Sequence, residues 1–529
     1  MGRVMETALS NSGATGTSGA AKIAPEFFAH ARRTPDKVAI WCDGTTKSYG
    51  ELARQVCRWS NAMAKNGVRR GDHIGVILPN GIEFVMLMLV AADLGAVLVP
   101  LNISLTPAAV HKAFEAAEVK HVVATGVLLR PLLAKTDFSI ADGLWLSVDE
   151  TVAGATVLAD LLHNAAPDAQ PLNAAMEDDA LILTMTSGST GDPKPIIMTQ
   201  RTKFNRAAAA VELYGVTEKD RTLAATPLYH SLAERLVLIP LLTGGTSVLL
   251  PAFSAPTWLE CVSRQAVTFT IAVSSQLKQI AELLGGTHEY DISSLRCIVS
   301  SSALLEHKIK IELLARLNCE FHECYGTSEI AIATNLDGIS AWTKLQSVGI
   351  PAPGVDVRII GKNDEVVAAG EAGEIVCKTP MLFGGYFKRP ELTRAAMWGE
   401  YFRTGDMGRL DEDGFLYFLG RTKDIIICGG INIYPTDIEA VVNAHDSVLE
   451  SAAFAYPDER LGEVVAVAVV PTDKAAFDLR QLRFHCAERL ADFQQPRKFF
   501  LVDGLPRNAM GKVMKLQLVK TFAPTQPDT

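Results

Sequence analysis

Between Tyr49 and Ala124 the chain alternates between two apolar spacings, and that alternation limits the fold more than any other feature. Leu52, Val56, Trp59 and Met63 recur on one helical face; Ile74 to Leu78 then reads as a compact strand, Phe84 to Val90 as a helix, and Ala96 to Pro100 and His121 to Ala124 as further strands. This texture predicts a mostly parallel sheet covered by helices. The most apolar stretch, Phe84 to Pro100, contains Asp93 and Gly95. A charge at mid-bilayer is costly, so the stretch predicts a buried helix followed by a strand, with no membrane span.

From about Gly349 to Gly420 the pattern changes to short apolar runs punctuated by glycine and proline, such as Val355 to Ile360 and Glu374 to Cys377, and a small β-subdomain fits there. Beyond Lys423, Ser451 to Ala455 and Val464 to Val470 read as strands. Leu479, Leu482, Cys486 and Leu490 then share one helical face, which makes a separate α+β unit with no internal repeat. The expected fold is therefore α/β: a large N-terminal domain of α/β sheets plus a small β-subdomain, followed by a small α+β C-terminal domain.

A chain of 529 residues, 48% hydrophobic and 21% charged, can bury more than one core. Its formal net charge of -9 argues against a broad phosphate-tracking surface, so no nucleic-acid partner is expected. The nine cysteines are scattered without a CxxC pair, which fits reduced thiols in a cytoplasmic protein, with no structural metal. The start, small and polar through Ser10 to Gly13 and Ser18 to Ala20, lacks the basic-then-apolar order of a signal peptide, and residues 1–22 are expected to form a loose arm.

Four segments carry chemistry. Thr184 to Lys194 (TMTSGSTGDPK) puts two glycines, five hydroxyls and a lysine after the apolar run Ala180 to Leu183. Glycines let backbone N–H groups approach phosphates, hydroxyls donate hydrogen bonds and lysine supplies charge. A Ser/Thr/Gly linker remains open on these residues alone. A Walker A loop is excluded, because Pro193 stands where its second glycine belongs. Tyr325 to Glu329 (YGTSE) follows a strand-like run and sets a flat ring, two hydroxyls and a carboxylate side by side; an aromatic can stack on adenine and a carboxylate can hold Mg2+, although a core tyrosine and a solvated glutamate fit equally well. Tyr401 to Asp406 (YFRTGD) and Gly420 to Asp424 (GRTKD) add a carboxylate able to take a ribose diol and an arginine, and either segment alone could be a turn.

These segments occur in one order, together with Pro227 to His230 (PLYH), Gly349 to Gly354 (GIPAPG), Gly420 to Glu439, and Pro506 to Lys512 (PRNAMGK). Over nearly the whole chain that order resembles the adenylate-forming superfamily of acyl-CoA synthetases, firefly-type luciferases and peptide-synthetase adenylation domains, in its acyl-CoA synthetase branch. The resemblance implies a large adenylation domain over residues 23–421, a hinge at 422–423 centred on Lys423, and a mobile C-terminal domain over 424–529. It also implies that Thr186, Ser187, Gly188, Ser189, Thr190, Gly191 and Lys194 grip the phosphates of ATP. Ser302, Glu323, Cys324, Tyr325, Gly326 and Thr327 would complete the nucleotide site, with Tyr325 on adenine, Asp406 and Arg421 on the ribose and Glu329 on Mg2+. Lys512 would reach the carboxylate and α-phosphate during adenylation, His230 would close the acyl pocket, and Gly429 and Gly430 would line the pantetheine channel.

The implied reaction joins a carboxylic acid to ATP as an acyl adenylate and then transfers the acyl group to coenzyme A. Like charges meet in the first step, which calls for Mg2+ and a lysine. A thiol needs another approach to the adenylate, which explains a hinged domain. Two rivals remain: a stand-alone enzyme that loads a carrier-protein phosphopantetheine, and a silent nucleotide-binding regulator. No carrier domain follows Lys520, and a silent regulator would be expected to lack Lys512 or Glu329, both of which are present.

Departures from the pattern are Pro195, Gln200, Ala233, Ser301 and Ser302, Leu304 and Ile427, none of which removes a catalytic group. His230, Ser231, Leu232, Ser301, Cys324, Gly326, Ala331 and Ile332 are candidates for the acyl pocket, a largely small and apolar set that suits a hydrophobic acid. Activators of α-amino acids carry an aspartate in the region of Pro227 to Leu232; Tyr229, His230 and Ser231 stand here, so a free amino acid is disfavoured. Glu234, the nearby carboxylate, is expected to pair with Arg235 or with solvent.

Overall fold

The computed structural model describes residues 21–134, 143–163, 165–187, 193–286, 290–508 and 511–523. Most of the expected arm, residues 1–20, lies outside them. The helix Tyr49–Lys65 starts at a reciprocal cap: the Ser48 hydroxyl accepts from Glu51 N–H, and the Glu51 carboxylate accepts from Ser48 N–H. Its Leu52, Val56, Trp59 and Met63 face is buried as the spacing predicts. The helix Ile82–Leu94 is apolar on nearly every side and is accordingly enclosed. It stops at Gly95, which takes the left-handed conformation of a helix C-cap (φ 74°). Asp93, within it, is not exposed to solvent: its carboxylate accepts from Leu172 N–H at 3.2 Å and Asn173 N–H at 2.7 Å, anchoring a crossing segment. No helix among the described residues is long and apolar enough to cross a membrane.

Two mostly parallel sheets dominate. One has nine strands in the spatial order 350–351, 334–337, 320–325, 297–301, 269–273, 221–224, 246–249, 38–42 and 45–48, antiparallel only toward its ends. The other has seven, in the order 156–157, 145–147, 121–124, 73–77, 97–100, 180–187 and 193–199, with one antiparallel pair, the last. The largest core joins residues of both sheets with the helices Ile23–Arg33, Tyr49–Lys65, Ile82–Leu94, Gln200–Tyr214 and Ser231–Thr243. Separate cores cover the other faces under the helices Ala255–Gln265, Ser274–Leu284 and His307–Arg316, and under Pro107–Ala116 and Gly126–Leu133.

The expected β-subdomain is a five-stranded antiparallel sheet with strands between Asp356 and Arg421. A short turn, Thr422–Asp424, follows it. The C-terminal unit is another five-stranded sheet, with helices Pro435–Asn443 and Leu479–Arg489 on one core and Lys515–Phe522 on a second. Leu482 and Cys486 are buried, whereas Leu490 is the first residue past its helix.

Candidate active site

The strands Ala180–Ser187 and Pro193–Thr199 form a hairpin at the edge of the seven-stranded sheet, with Thr186 opposite Lys194 and Ser187 opposite Pro193. The phosphate-loop candidates therefore occupy a hairpin tip. Gly188, Ser189, Thr190 and Gly191 lie outside the described residues, and only the backbones of Thr186 and Ser187 are described. Pro195 sits on the edge strand, and its carbonyl accepts from Phe387 N–H at 3.0 Å. Gln200 is buried and ties two helices together: its amide oxygen accepts from Ile23 N–H at 3.2 Å and its nitrogen donates to Ala92 O at 3.4 Å.

The parallel strands Cys297–Ser301 and Glu320–Tyr325 end together, bringing Ser301, Ser302, Cys324, Tyr325, Gly326 and Thr327 to the carboxyl edge of the nine-stranded sheet, where open α/β sheets bind ligands. The backbone there is strained: Ser302 has φ 76° and Ala331 φ 61°, both non-glycine residues in the left-handed region. Any Cβ on Gly326 would stand 1.8 Å from Ala331 O, so the turn carrying Thr327 and Glu329 closes only on glycine. Thr327 Oγ1 is buried without a hydrogen-bond partner. Glu323 points elsewhere; it meets Lys310 at 2.5 Å and accepts from Leu305 N–H at 3.1 Å, which makes it a support for the strand end.

Asp406 and Arg421 are direct cross-strand partners in the antiparallel sheet. Tyr325 Oη donates to Asp406 Oδ2 at 2.8 Å, while Arg421 Nε stands 3.3 Å from Asp406 Oδ1 without hydrogen-bond geometry. That buried Oδ1 thus keeps an open acceptor position. Burial raises the Asp406 carboxyl above its ordinary pKa, opposed by Arg421, Tyr325 and Lys512. Lys512, from the C-terminal unit, lies in the same charge cluster. Burial and then Arg421 lower its ammonium to about 8, with Asp406 and Asp424 opposing. Adjacent Gly511 packs against Ser275 of the large unit; a Cβ there would meet Ser275 Oγ at 2.1 Å.

Glu329 lies half-buried beside this cluster; its Oε1 accepts from Tyr386 Oη at 3.2 Å. Its carboxylate is held in place by that hydroxyl, and the buried Arg206 grips the backbone behind it, donating to Ser328 O and Glu329 O, each at 2.9 Å. A carboxylate oxygen oriented this way suits a hard cation such as Mg2+.

On the acyl side, His230 is the N-cap of the helix Ser231–Thr243, and its Nε2 is buried without a partner. Burial lowers its pKa to about 4, so the ring is neutral at pH 7. The preceding loop is fixed by Asn80, which donates to Thr226 O at 2.9 Å and accepts from Leu228 N–H at 2.7 Å. Ser231 Oγ accepts from Arg206 Nη1 at 3.0 Å, and Leu232 and Ile332 are buried. Glu234 corrects the sequence expectation. It is 0% exposed and pairs with Lys203 of the helix Gln200–Tyr214, itself 1% exposed, instead of with Arg235 or solvent.

Asn80, Lys203, Arg206 and Tyr386 carry no motif that singles them out in the sequence. The one signal available is the placement of Lys203 and Arg206 three residues apart, on one face of a helix whose neighbours there are alanines.

Gly429 and Gly430 do not join this cluster. With φ 56° and 85° they form the two-residue turn between strands Ile426–Cys428 and Ile431–Ile433, a turn that demands positive φ at both positions. A Cβ on Gly429 would meet only Leu461, at 3.2 Å. Lys423 is exposed in the turn between the two units.

Comparison with known proteins adds an independent line. The family model for AMP-binding enzymes matches residues 27–387, and that for the AMP-binding enzyme C-terminal domain matches residues 437–512. The chain is 33% identical over 495 residues to a feruloyl-CoA synthase of an Amycolatopsis species, covering 93% of this chain and 97% of that protein. It is 31% identical over 489 residues to the long-chain-fatty-acid–CoA ligase FadD13 of Mycobacterium tuberculosis, covering 91% and 94%. Among solved structures, the o-succinylbenzoate CoA synthetase MenE of Bacillus subtilis, in complex with its acyl-adenylate intermediate, superimposes with a TM-score of 0.81 at 28% identity, covering 93% of this chain and 97% of that one.

Proposed function

The chain belongs to the AMP-binding enzyme family, and from that premise we propose how its residues carry out the reaction of an ATP-dependent acyl-CoA ligase. In the first step a carboxylate oxygen attacks the α-phosphorus of ATP, the bond to the bridging oxygen breaks, and pyrophosphate leaves with the electron pair. In the second, the thiol sulfur of coenzyme A attacks the acyl carbonyl carbon and gives up its proton, and AMP leaves. The relatives named CoA ligases and the adenylate-bound neighbour support both halves.

The observation that carries the residue assignment is that Lys512 of the C-terminal unit lies near enough to Asp406 and Arg421 of the large unit for their charges to act on it, while Arg421 and Asp406 face each other across the sheet. An ammonium there neutralises charge as carboxylate and α-phosphate approach. The open Asp406 Oδ1 suits a ribose hydroxyl, with Tyr325 held against it for the adenine. Mg2+ bound at Glu329 would supply charge neutralisation on the phosphates. A neutral His230 suits closure of a largely apolar acyl pocket, because it brings no competing charge to the reacting carboxylate. After adenylation, rotation at Lys423 would withdraw Lys512 and bring Gly429 and Gly430 to line the thiol path.

The acid is one without an α-ammonium group, since Glu234, the buried carboxylate four residues after His230, is already paired with Lys203. The test is a panel of acids with ATP and coenzyme A, read by mass spectrometry. The expected products are an acyl-CoA thioester with AMP and pyrophosphate in equal amounts; formation of ADP and phosphate would overturn the assignment.

A further inference from the structure

Arg235 is 6% exposed, its Nε has no hydrogen-bond partner, and among the described residues no ion pair involves it. An enclosed, unpaired guanidinium is far costlier than a paired one, so it points to a missing anion. Its sequence neighbour Glu234 meets Lys203 through Oε2, and its other oxygen, the buried Oε1, makes no hydrogen bond to Arg235 or to any other group. Arg206, close by, adds a third cation, and its hydrogen bonds go to neutral acceptors: the carbonyls of Ser328, Glu329 and Met381, and the Ser231 hydroxyl. Three buried cations, Lys203, Arg206 and Arg235, thus stand against the enclosed carboxylate of Glu234 and the half-buried carboxylate of Glu329, which also acts on Arg206. Their mutual repulsion is visible in Arg206, whose pKa falls to about 9 through burial first and Arg235 second.

The position of this surplus charge is informative. Ser231 and Arg235 are four residues apart on the helix Ser231–Thr243, hence on one face, and His230 caps that helix. Along the axis Arg235 lies about 7.5 Å beyond His230, at about 1.5 Å per residue. The Arg235 charge acts on Cys324, at the strand end that the ligase reading assigns to the acyl pocket.

We propose that Arg235 receives a second carboxylate at the far end of the acid being activated, so that the substrate class is a dicarboxylic acid with an apolar middle. A guanidinium takes a carboxylate through two parallel N–H bonds, a geometry that also fixes substrate length. The proposal rests on the ligase reading and on the pocket lying between His230 and Arg235.

The experiment measures pyrophosphate release with ATP for paired acids of equal length, monocarboxylates against α,ω-dicarboxylates, and phenylpropanoate against its ring-carboxylated counterpart. The proposal expects the best acid to be a dicarboxylate, favoured over its partner in kcat/KM by about 30-fold or more. Arg235→Met should erase that preference, and Arg235→Lys should restore part of it through KM. A monocarboxylate used as well as its dicarboxylate partner by the unaltered protein overturns the proposal while leaving the ligase reading intact, and this comparison needs no variant to fold. Failure of every acid in both series to release pyrophosphate contradicts the ligase reading as well.

Discussion

Tyr325 Oη donates a 2.8 Å hydrogen bond to Asp406 Oδ2, joining the end of a parallel strand in the nine-stranded sheet to the antiparallel sheet that precedes the C-terminal unit. One oxygen of a buried carboxylate is thereby fixed and the other left open for a ligand. Asp406→Asn should raise KM for ATP by about 10-fold or more, the scale of a hydrogen bond to a charged group, whereas Tyr325→Phe should cost about 3- to 10-fold. Steady-state kinetics at saturating acid measures both; equal KM values in the Asn variant and the parent would remove Asp406 from the nucleotide site.

The depressed Lys512 sets a pH limit. Its ammonium exists below about pH 8, so kcat/KM for adenylation should fall as pH rises through that value. Lys512→Arg, if active, should carry the descending limb beyond the measured range. The same shift has a consequence for folding: between pH 8 and the usual lysine value of 10.5 the unfolded chain binds more protons than the folded one. This group's contribution to stability therefore rises with pH across that window.

Gly429 is needed by its turn and, in the proposed mechanism, by the thiol path. Gly429→Trp should retain pyrophosphate release and lose thioester formation by about 10-fold or more, because only the second step is obstructed. Gly429→Asn tolerates positive φ with a shorter side chain and separates strain from obstruction. Equal losses in the two variants, read by thioester yield, would assign the glycine to the turn alone.

Much of the fold and site is legible in the sequence, and the reason lies in local chemistry. Leu52, Val56, Trp59 and Met63 repeat at helical spacing, and they are buried as one face. Tyr325, Asp406 and Lys512 stand in runs distinctive enough to align, and the structure hydrogen-bonds Tyr325 to Asp406 and sets Lys512 within reach of the Asp406 charge. Lys203 and Glu234 are not legible as a pair: 31 residues separate them, and only the packing of two helices reveals that one neutralises the other. Arg235 is the natural partner of Glu234 by sequence alone and fails for the same reason, since adjacency in sequence says little about contact on a helix. The turn role of Gly429 and Gly430 is likewise hidden until their φ angles are known.

The Lys203–Glu234 pair predicts the fate of amino acids. With Glu234 neutralised and Arg206 and Arg235 nearby, an α-ammonium group finds repulsion and no partner. Phenylalanine should lose to phenylpropanoate, and 2-aminooctanoate to octanoate, by about 100-fold or more in competition for thioester formation. An advantage for the amino acids would require an anion in the pocket that Lys203 does not neutralise.

If Lys512 helps this site to form an acyl adenylate, acid-dependent exchange of labelled pyrophosphate into ATP, measured without coenzyme A, must depend on that lysine. Exchange should require the acid and be abolished in Lys512→Ala, while that variant still converts a supplied acyl adenylate to thioester when coenzyme A is added. Exchange that persists in a folded Lys512→Ala protein, or equal loss of both half-reactions, would contradict the role assigned to Lys512.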